Sequence, residues 1–163
     1  MTLNIGVVMD PITKIKFHKD TSLALLLSAQ ARGWNLHYME QSDLYLLQGE
    51  ARATMRSLNV RNNPDDYYTL GLHEDRPLSD LDVILMRKDP PFDNEFVYST
   101  YILEAAQRKG TLIVNDPRSL RDCNEKLFAA RFPDCSPELL VSSDASTLRK
   151  FQREHGDIVL KPL

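Results

Sequence analysis

Within the first 39 residues the hydrophobic period changes twice, and that order of periods restricts the fold more than any other feature of the chain. Asn4-Ile5-Gly6-Val7-Val8-Met9 is a short apolar run ended by Asp10-Pro11, a strand stopping at a turn. After a loop bearing Lys14 to Lys19, the residues Asp20, Thr21 and Ser22 supply N-cap candidates. Leu23, Leu26, Leu27 and Ala31 then recur at helical spacing, and Gly33 closes the helix. Trp34 to Met39 is a second strand. Strand, helix and strand on short joints open a parallel α/β sheet.

The next stretch departs from that alternation. Asp43 to Leu47, the pair Gln48-Gly49, and Glu50 to Val60 predict two strands around a tight turn, a hairpin inserted into the α/β pattern. Asn62-Asn63-Pro64 breaks it, and Tyr67 to Leu72 reads as a further exposed strand. Alternation then resumes. Leu81 to Arg87 is a buried strand, Asp93 caps a helix running to Gly110, and Thr111 to Val114 is a strand. Asp116-Pro117 starts a short helix, with proline where its missing N–H costs nothing. Asn124 to Phe132 predicts a helix ended by Pro133, Leu139 to Val141 a strand, and Ser143 or Asp144 the cap of a helix through Leu148 and Phe151. The last seven residues, Asp157 to Leu163, read as a buried strand carrying one lysine. A strand so apolar normally pairs on both sides and leads onward, so the chain is expected to be the front part of a larger enzyme. A domain boundary is expected between Asp122 and Glu125.

Composition narrows the function. Apolar residues at 42% and charged residues at 26% are ordinary for a folded soluble protein. A net charge of −3 gives no electrostatic case for nucleic acid. No apolar stretch approaches the ~18 residues of a membrane helix, and the N-terminus enters a strand without a basic region or cleavage site. Cys123 and Cys135 lack metal-binding spacing, and without an export signal they are expected as reduced thiols. A cytoplasmic protein is the expectation.

In open parallel sheets, ligands bind beyond the carboxyl ends of the strands. Met9-Asp10-Pro11 and Met86-Arg87-Lys88-Asp89-Pro90-Pro91 occupy such positions. The prolines stiffen the second loop, so Arg87 and Asp89 would be held rather than mobile. A fixed guanidinium takes a carboxylate through two parallel hydrogen bonds. The competing reading is that Arg87 and Asp89 pair with each other or cap neighbouring elements. Lys161 is the only charge in an apolar strand, so it needs an anionic partner, either a phosphate or a structural carboxylate. On the residues alone Lys126 belongs to a solvated helix face and Lys161 to a structural pair. No GxGxxG or GxxxxGK[ST] is present, and His18, His37, His73 and His155 show no paired metal spacing.

Taken together, several segments are specific. Ile5-Gly6-Val7-Val8-Met9-Asp10-Pro11-Ile12, Leu36-His37-Tyr38-Met39-Glu40, Asp82 to Asp93, Asn115 to Leu127 and Leu160-Lys161-Pro162-Leu163 resemble the prokaryotic glutathione synthetase family, in order and from first residue to last. The resemblance implies an open, mainly parallel sheet flanked by helices, a Rossmann-like pre-ATP-grasp domain over residues 1–122 with an inserted hairpin. The start of an ATP-grasp domain would follow over residues 123–163. It further implies an ATP- and magnesium-dependent ligase that joins glycine to γ-glutamylcysteine through an acyl phosphate. On this resemblance Lys126 and Lys161 contact ATP, and the Arg87 loop, with Asp89, helps form the tripeptide-side pocket. Asp10 and the Lys19–Ser22 segment, Ser22 included, are further substrate-side candidates.

A complete member of such a family would be about twice this length. The glycine-rich loop, the adenine pocket, the magnesium ligands and most of the glycine site would lie after Leu163, so no catalytic or metal-ligating residue is expected within these 163, and the chain by itself is expected to be inactive. A homo-oligomer is expected. Two other readings stand beside this one: a non-catalytic module pairing with itself through Leu44 to Val60, and an ATP-grasp ligase with a different acceptor.

Overall fold

The computed structural model describes residues 2–89, 91–124 and 126–162, so Pro90, Glu125 and Leu163 of the segments above lie outside it. Contacts divide the chain into two units, residues 1–120 and 121–163.

The first unit is built on seven strands: β1 (Asn4–Met9), β2 (Asn35–Met39), β3 (Leu44–Leu47), β4 (Glu50–Val60), β5 (Tyr68–Pro77), β6 (Val83–Arg87) and β7 (Leu112–Val114). Helices α1 (Thr21–Ala31) and α2 (Asn94–Gln107) cover it. β2, β1, β6 and β7 are parallel neighbours in that order. Beyond β2 the sheet turns antiparallel. β4 pairs with β2 through Leu58, Ser57 and Arg56, and with β3 through Ala53 to Glu50. β5 runs along the other edge of β4. β2 and β3 are thus two legs of one edge, broken by a 3-10 turn at Gln41–Asp43.

Each element has a local cause. The Asp20 carboxylate accepts the Leu23 amide at 2.7 Å and starts α1, and Asp93 does the same for the Phe96 amide at 2.9 Å in α2. Gln48 and Gly49 both have positive φ, the requirement of the two-residue turn that matches strand twist, and this fixes the β3–β4 register. Alternation in β1 sends Val8 to one face and Val7 and Met9 to the other. On the Val8 face the core includes Met39, Met55, Ile84 and Ile113, closed by Phe96, Leu103 and Ala106 of α2. On the other face Leu36, Tyr38, Leu58 and Val60 meet Leu23, Leu26 and Ala29 of α1. One helix therefore seals each face, the three-layer solution for a parallel sheet. Gly6 sits in the middle of β1 because a Cβ there would lie 2.6 Å from Leu81 Cδ1 and 2.8 Å from Met39 Cε.

Beyond β7 the helix α3 (Pro117–Asp122) begins at Pro117, and the Asp116 carboxylate accepts the Ser119 amide at 3.0 Å. In the second unit, α4 (Ala145–His155) is capped by Asp144, which accepts the Thr147 amide at 2.7 Å. Three expectations fail there. Asn124 to Phe132 is not an α-helix: a 3-10 turn spans Phe128–Arg131, another follows at Pro133–Cys135, and the Asn124 side chain accepts the Lys126 and Leu127 amides. Neither 139–141 nor the described part of 157–163 is a strand. Val159 is 80% exposed and Leu160 69%. A strand is stabilised by ladder bonds and cross-strand packing as well as by β-branched composition, and no described strand pairs with these residues. No described residue of this unit is buried, whereas the first unit contains both cores. Among the described residues no helix is long and apolar enough to cross a membrane.

Candidate functional site

The direction of winding reverses between β1 and β6. From β1 the chain crosses through α1 to β2 on one side, and β6 then enters on β1's other side before α2 and β7 extend outward. Such a switch point opens a crevice at the carboxyl ends of the two strands. The register pairs Met9 with Arg87 at that end, so the next residues, Asp10 and Lys88, emerge side by side.

The crevice brings together four of the six predicted site residues. Lys88 Nζ lies 3.0 Å from Asp10 Oδ1, and the Asp89 amide donates to Asp10 Oδ2 at 3.0 Å. Arg87 Nε donates to Ser22 Oγ at 3.1 Å, in the first turn of α1. Ser22 is only 5% exposed, while Arg87 faces solvent. The buried serine therefore engages Nε of the guanidinium, while Arg87 as a residue stays exposed. Among the described residues Arg87 forms no ion pair, and in particular none with Asp89, so the mutual pairing considered from sequence does not occur. Asp10 is engaged on both oxygens and acts as a clasp between the β1 and β6 loops. Lys88, given no role by the sequence, supplies the charge for that clasp; only the parallel register brings it beside Asp10.

A fixed, exposed guanidinium with no carboxylate of its own can take an anion through two parallel hydrogen bonds. No group of three His, Cys, Asp or Glu able to hold a metal ion occurs among the described residues.

In the second unit Lys126 is half-buried in the turn after α3, and Lys161 is exposed on the extended segment after α4. The expected burial of Lys161 in a strand is therefore corrected: it is solvated, so no structural carboxylate is required to hold its charge. Cys123 and Cys135 are free, exposed thiols.

Comparison with known proteins accounts for both units. The prokaryotic glutathione synthetase N-terminal domain matches residues 3–121, and the ATP-grasp domain of the same family matches residues 125–163. The glutathione synthetase of Yersinia pestis is 61% identical over 161 residues, covering 99% of this chain and 50% of that protein. Those of Pseudomonas aeruginosa and Escherichia coli K12 are each 60% identical, over 163 and 161 residues, and 51% of each is covered. The chain thus spans about half the length of the curated relatives it matches. With family domains accounting for both units in order, the chain belongs to the prokaryotic glutathione synthetase family.

Proposed function

We propose that this chain is the N-terminal part of an ATP-dependent carboxylate–amine ligase that joins glycine to γ-glutamylcysteine, releasing ADP and phosphate. ATP phosphorylates the γ-glutamylcysteine carboxylate, and the glycine amine then attacks the acyl phosphate. The physical obstacle is crowding of negative charge as a carboxylate oxygen nears a phosphate, and fixed cations placed where that charge develops relieve it.

In this reading Arg87, held at Nε by Ser22, takes a carboxylate of γ-glutamylcysteine in the β1–β6 crevice, with Asp89 at its rim. Asp10 and Ser22 position rather than touch the substrate. Lys126 and Lys161 serve the ATP phosphates; Lys161 is exposed and Lys126 half-buried. The observation that carries the proposal is the Arg87 guanidinium, fixed at the switch point without an acidic partner. Magnesium accompanies ATP in such chemistry, but the described residues gather no ligand set for it, so no step is assigned to it on these residues. The domain boundary is placed between residues 122 and 125, and the protein is taken as cytoplasmic.

Joining this chain to the downstream half of the Yersinia pestis relative and following ADP release tests the ligase reading. Turnover requiring both glycine and γ-glutamylcysteine is expected, with a loss of at least a hundredfold when Lys126 and Lys161 are both changed to Met. Unchanged turnover in the double variant overturns the role of the lysines. The 163 residues alone are expected to be inactive. Self-association through the β3–β4 hairpin is a second reading, favoured by the exposure of Leu46 and Leu47 at its tip. A dimer in the ultracentrifuge that persists when both leucines become Glu excludes that surface.

A further inference from the structure

On the α1 side of the sheet a cavity of about 320 Å³, whose lining does not include Arg87, opens beneath the segment that follows β1. Its roof is Pro11, Ile12 and Thr13, and its floor is Tyr38, Arg56, Tyr68 and Leu70, with Glu40 at the rim. Tyr38 and Arg56 are register partners across β2 and β4, which places both side chains on one face of the sheet. The roof is tied down at two points: the Ile12 amide donates to Tyr38 Oη at 3.2 Å, and Tyr67 Oη donates to the Ile12 carbonyl at 2.8 Å. The cavity is therefore a preformed space with a fixed ceiling.

Its charges are informative. Arg56 spends Nε on the Gly71 carbonyl at 2.9 Å and forms no ion pair among the described residues. Glu40 receives the Tyr38 hydroxyl on Oε1 at 2.7 Å and closes a capping box with Asp43, and it too forms no ion pair among the described residues. Burial and the neighbouring Glu40 carboxylate push the Tyr38 hydroxyl well above the usual phenol range, so Tyr38 stays a neutral donor to Glu40 at all physiological pH. A guanidinium and a carboxylate thus line one cavity without neutralising each other. Tyr68 and Leu70 give the floor an apolar body between them.

We propose that this cavity is a second binding site, separate from the Arg87 crevice, for a small zwitterion of the α-amino acid type. The ligand's carboxylate meets the Nη groups of Arg56, its ammonium meets Glu40, and an aliphatic side chain lies on Tyr68 and Leu70. A ligand carrying only one charge would leave the opposite wall unpaired, which is how such a site selects. The assignment does not depend on the ligase reading.

The test titrates the 163-residue chain with L-leucine, with 4-methylpentanoate lacking the ammonium, and with 3-methylbutylamine lacking the carboxylate, followed by amide and Arg Nε NMR shifts. L-Leucine is expected to move Thr13, Glu40, Arg56 and Leu70 saturably, with each single-charge analogue at least tenfold weaker. Arg56→Gln and Glu40→Gln are each expected to weaken L-leucine at least tenfold; Gln at residue 40 keeps an oxygen for the Tyr38 hydroxyl, so that variant should fold. Absence of saturable shifts, equal binding of the three compounds, or shifts confined to Asp10, Arg87 and Asp89 would each overturn the proposal. A thermal transition unchanged in Glu40→Gln, alongside lost binding, separates a ligand contact from a structural one.

Discussion

Asp10 offers the most direct way to measure how the crevice is held together. Its carboxylate does two jobs that substitution can separate: it pairs with Lys88 through Oδ1 and accepts the Asp89 amide through Oδ2. Lys88 is 17% exposed and Asp10 37%, so the ion pair is partly screened and contributes about 0.5–1 kcal/mol. The hydrogen bond to an exposed loop amide adds about 1–1.5 kcal/mol. Asp10→Asn retains an oxygen for the Asp89 amide and should cost only the ion-pair part, whereas Asp10→Ala should cost roughly 1.5–2.5 kcal/mol. At roughly 4 °C per kcal/mol for a unit of this size, Asp10→Ala lowers Tm by about 6–10 °C. Thermal and urea unfolding by circular dichroism read both variants. A cycle with Lys88→Met isolates the pair, with an expected coupling of about 0.5–1 kcal/mol. If Asp10→Ala unfolds with the wild-type midpoint, or the cycle shows no coupling, the clasp is not a stabilising feature and Asp10 is available for a ligand instead.

Other perturbations follow from the same contacts. Gly6→Ala places a Cβ against Leu81 and Met39 inside β1, and an overpacking cost of about 1–3 kcal/mol is expected in the urea midpoint; a neutral result would mean that both side chains move aside freely. His37 lies buried on β2 with no partner for Nε2 among the described residues, and burial, followed by the Arg76 charge, lowers its pKa below the ordinary 6.5, against a smaller opposing effect of Glu74. The unfolded chain then binds a proton near pH 6.5 that the folded one refuses, so stability is lost as pH falls through 6.5 and below. Histidine NMR should show the His37 ring titrating below 6.5, and a His37 titration at or above 6.5 would contradict this. In the second unit, amides 126–162 should exchange with solvent far faster than those of β1 and β6, because no described side chain there is buried; equal protection would refute it.

The parts of the fold visible in the residues are those whose cause is local. The β1–α1–β2 opening was legible because the apolar period changes at Asp10-Pro11 and again at Gly33, with Asp20 in capping position. Gln48-Gly49 announced the hairpin through its turn chemistry. The sequence pattern supports β5 only as far as Leu72, yet the strand continues through His73-Glu74-Asp75-Arg76 to Pro77: β4 supplies ladder bonds to a charged, mostly exposed stretch whose own pattern does not suggest a strand. The reverse error occurred at Ile158-Val159-Leu160, where composition suggests a strand but no described neighbour supplies the ladder. At the site, Arg87 and Asp89 could be nominated because they follow a strand. That Ser22 would back Arg87 from 65 residues away, and that Lys88 would meet Asp10, depends on strand order, which no local pattern encodes.

The central claim is that Arg87, fixed by Ser22 at the reversal between β1 and β6, receives a substrate carboxylate. Calorimetric titration of the chain with γ-glutamylcysteine, repeated on Arg87→Lys and Ser22→Ala, tests it most directly. Loss of the bidentate geometry in Arg87→Lys should weaken binding at least tenfold, about 1.4 kcal/mol, and Ser22→Ala should fall between that variant and the wild type. Equal affinities across the three proteins would contradict the assignment.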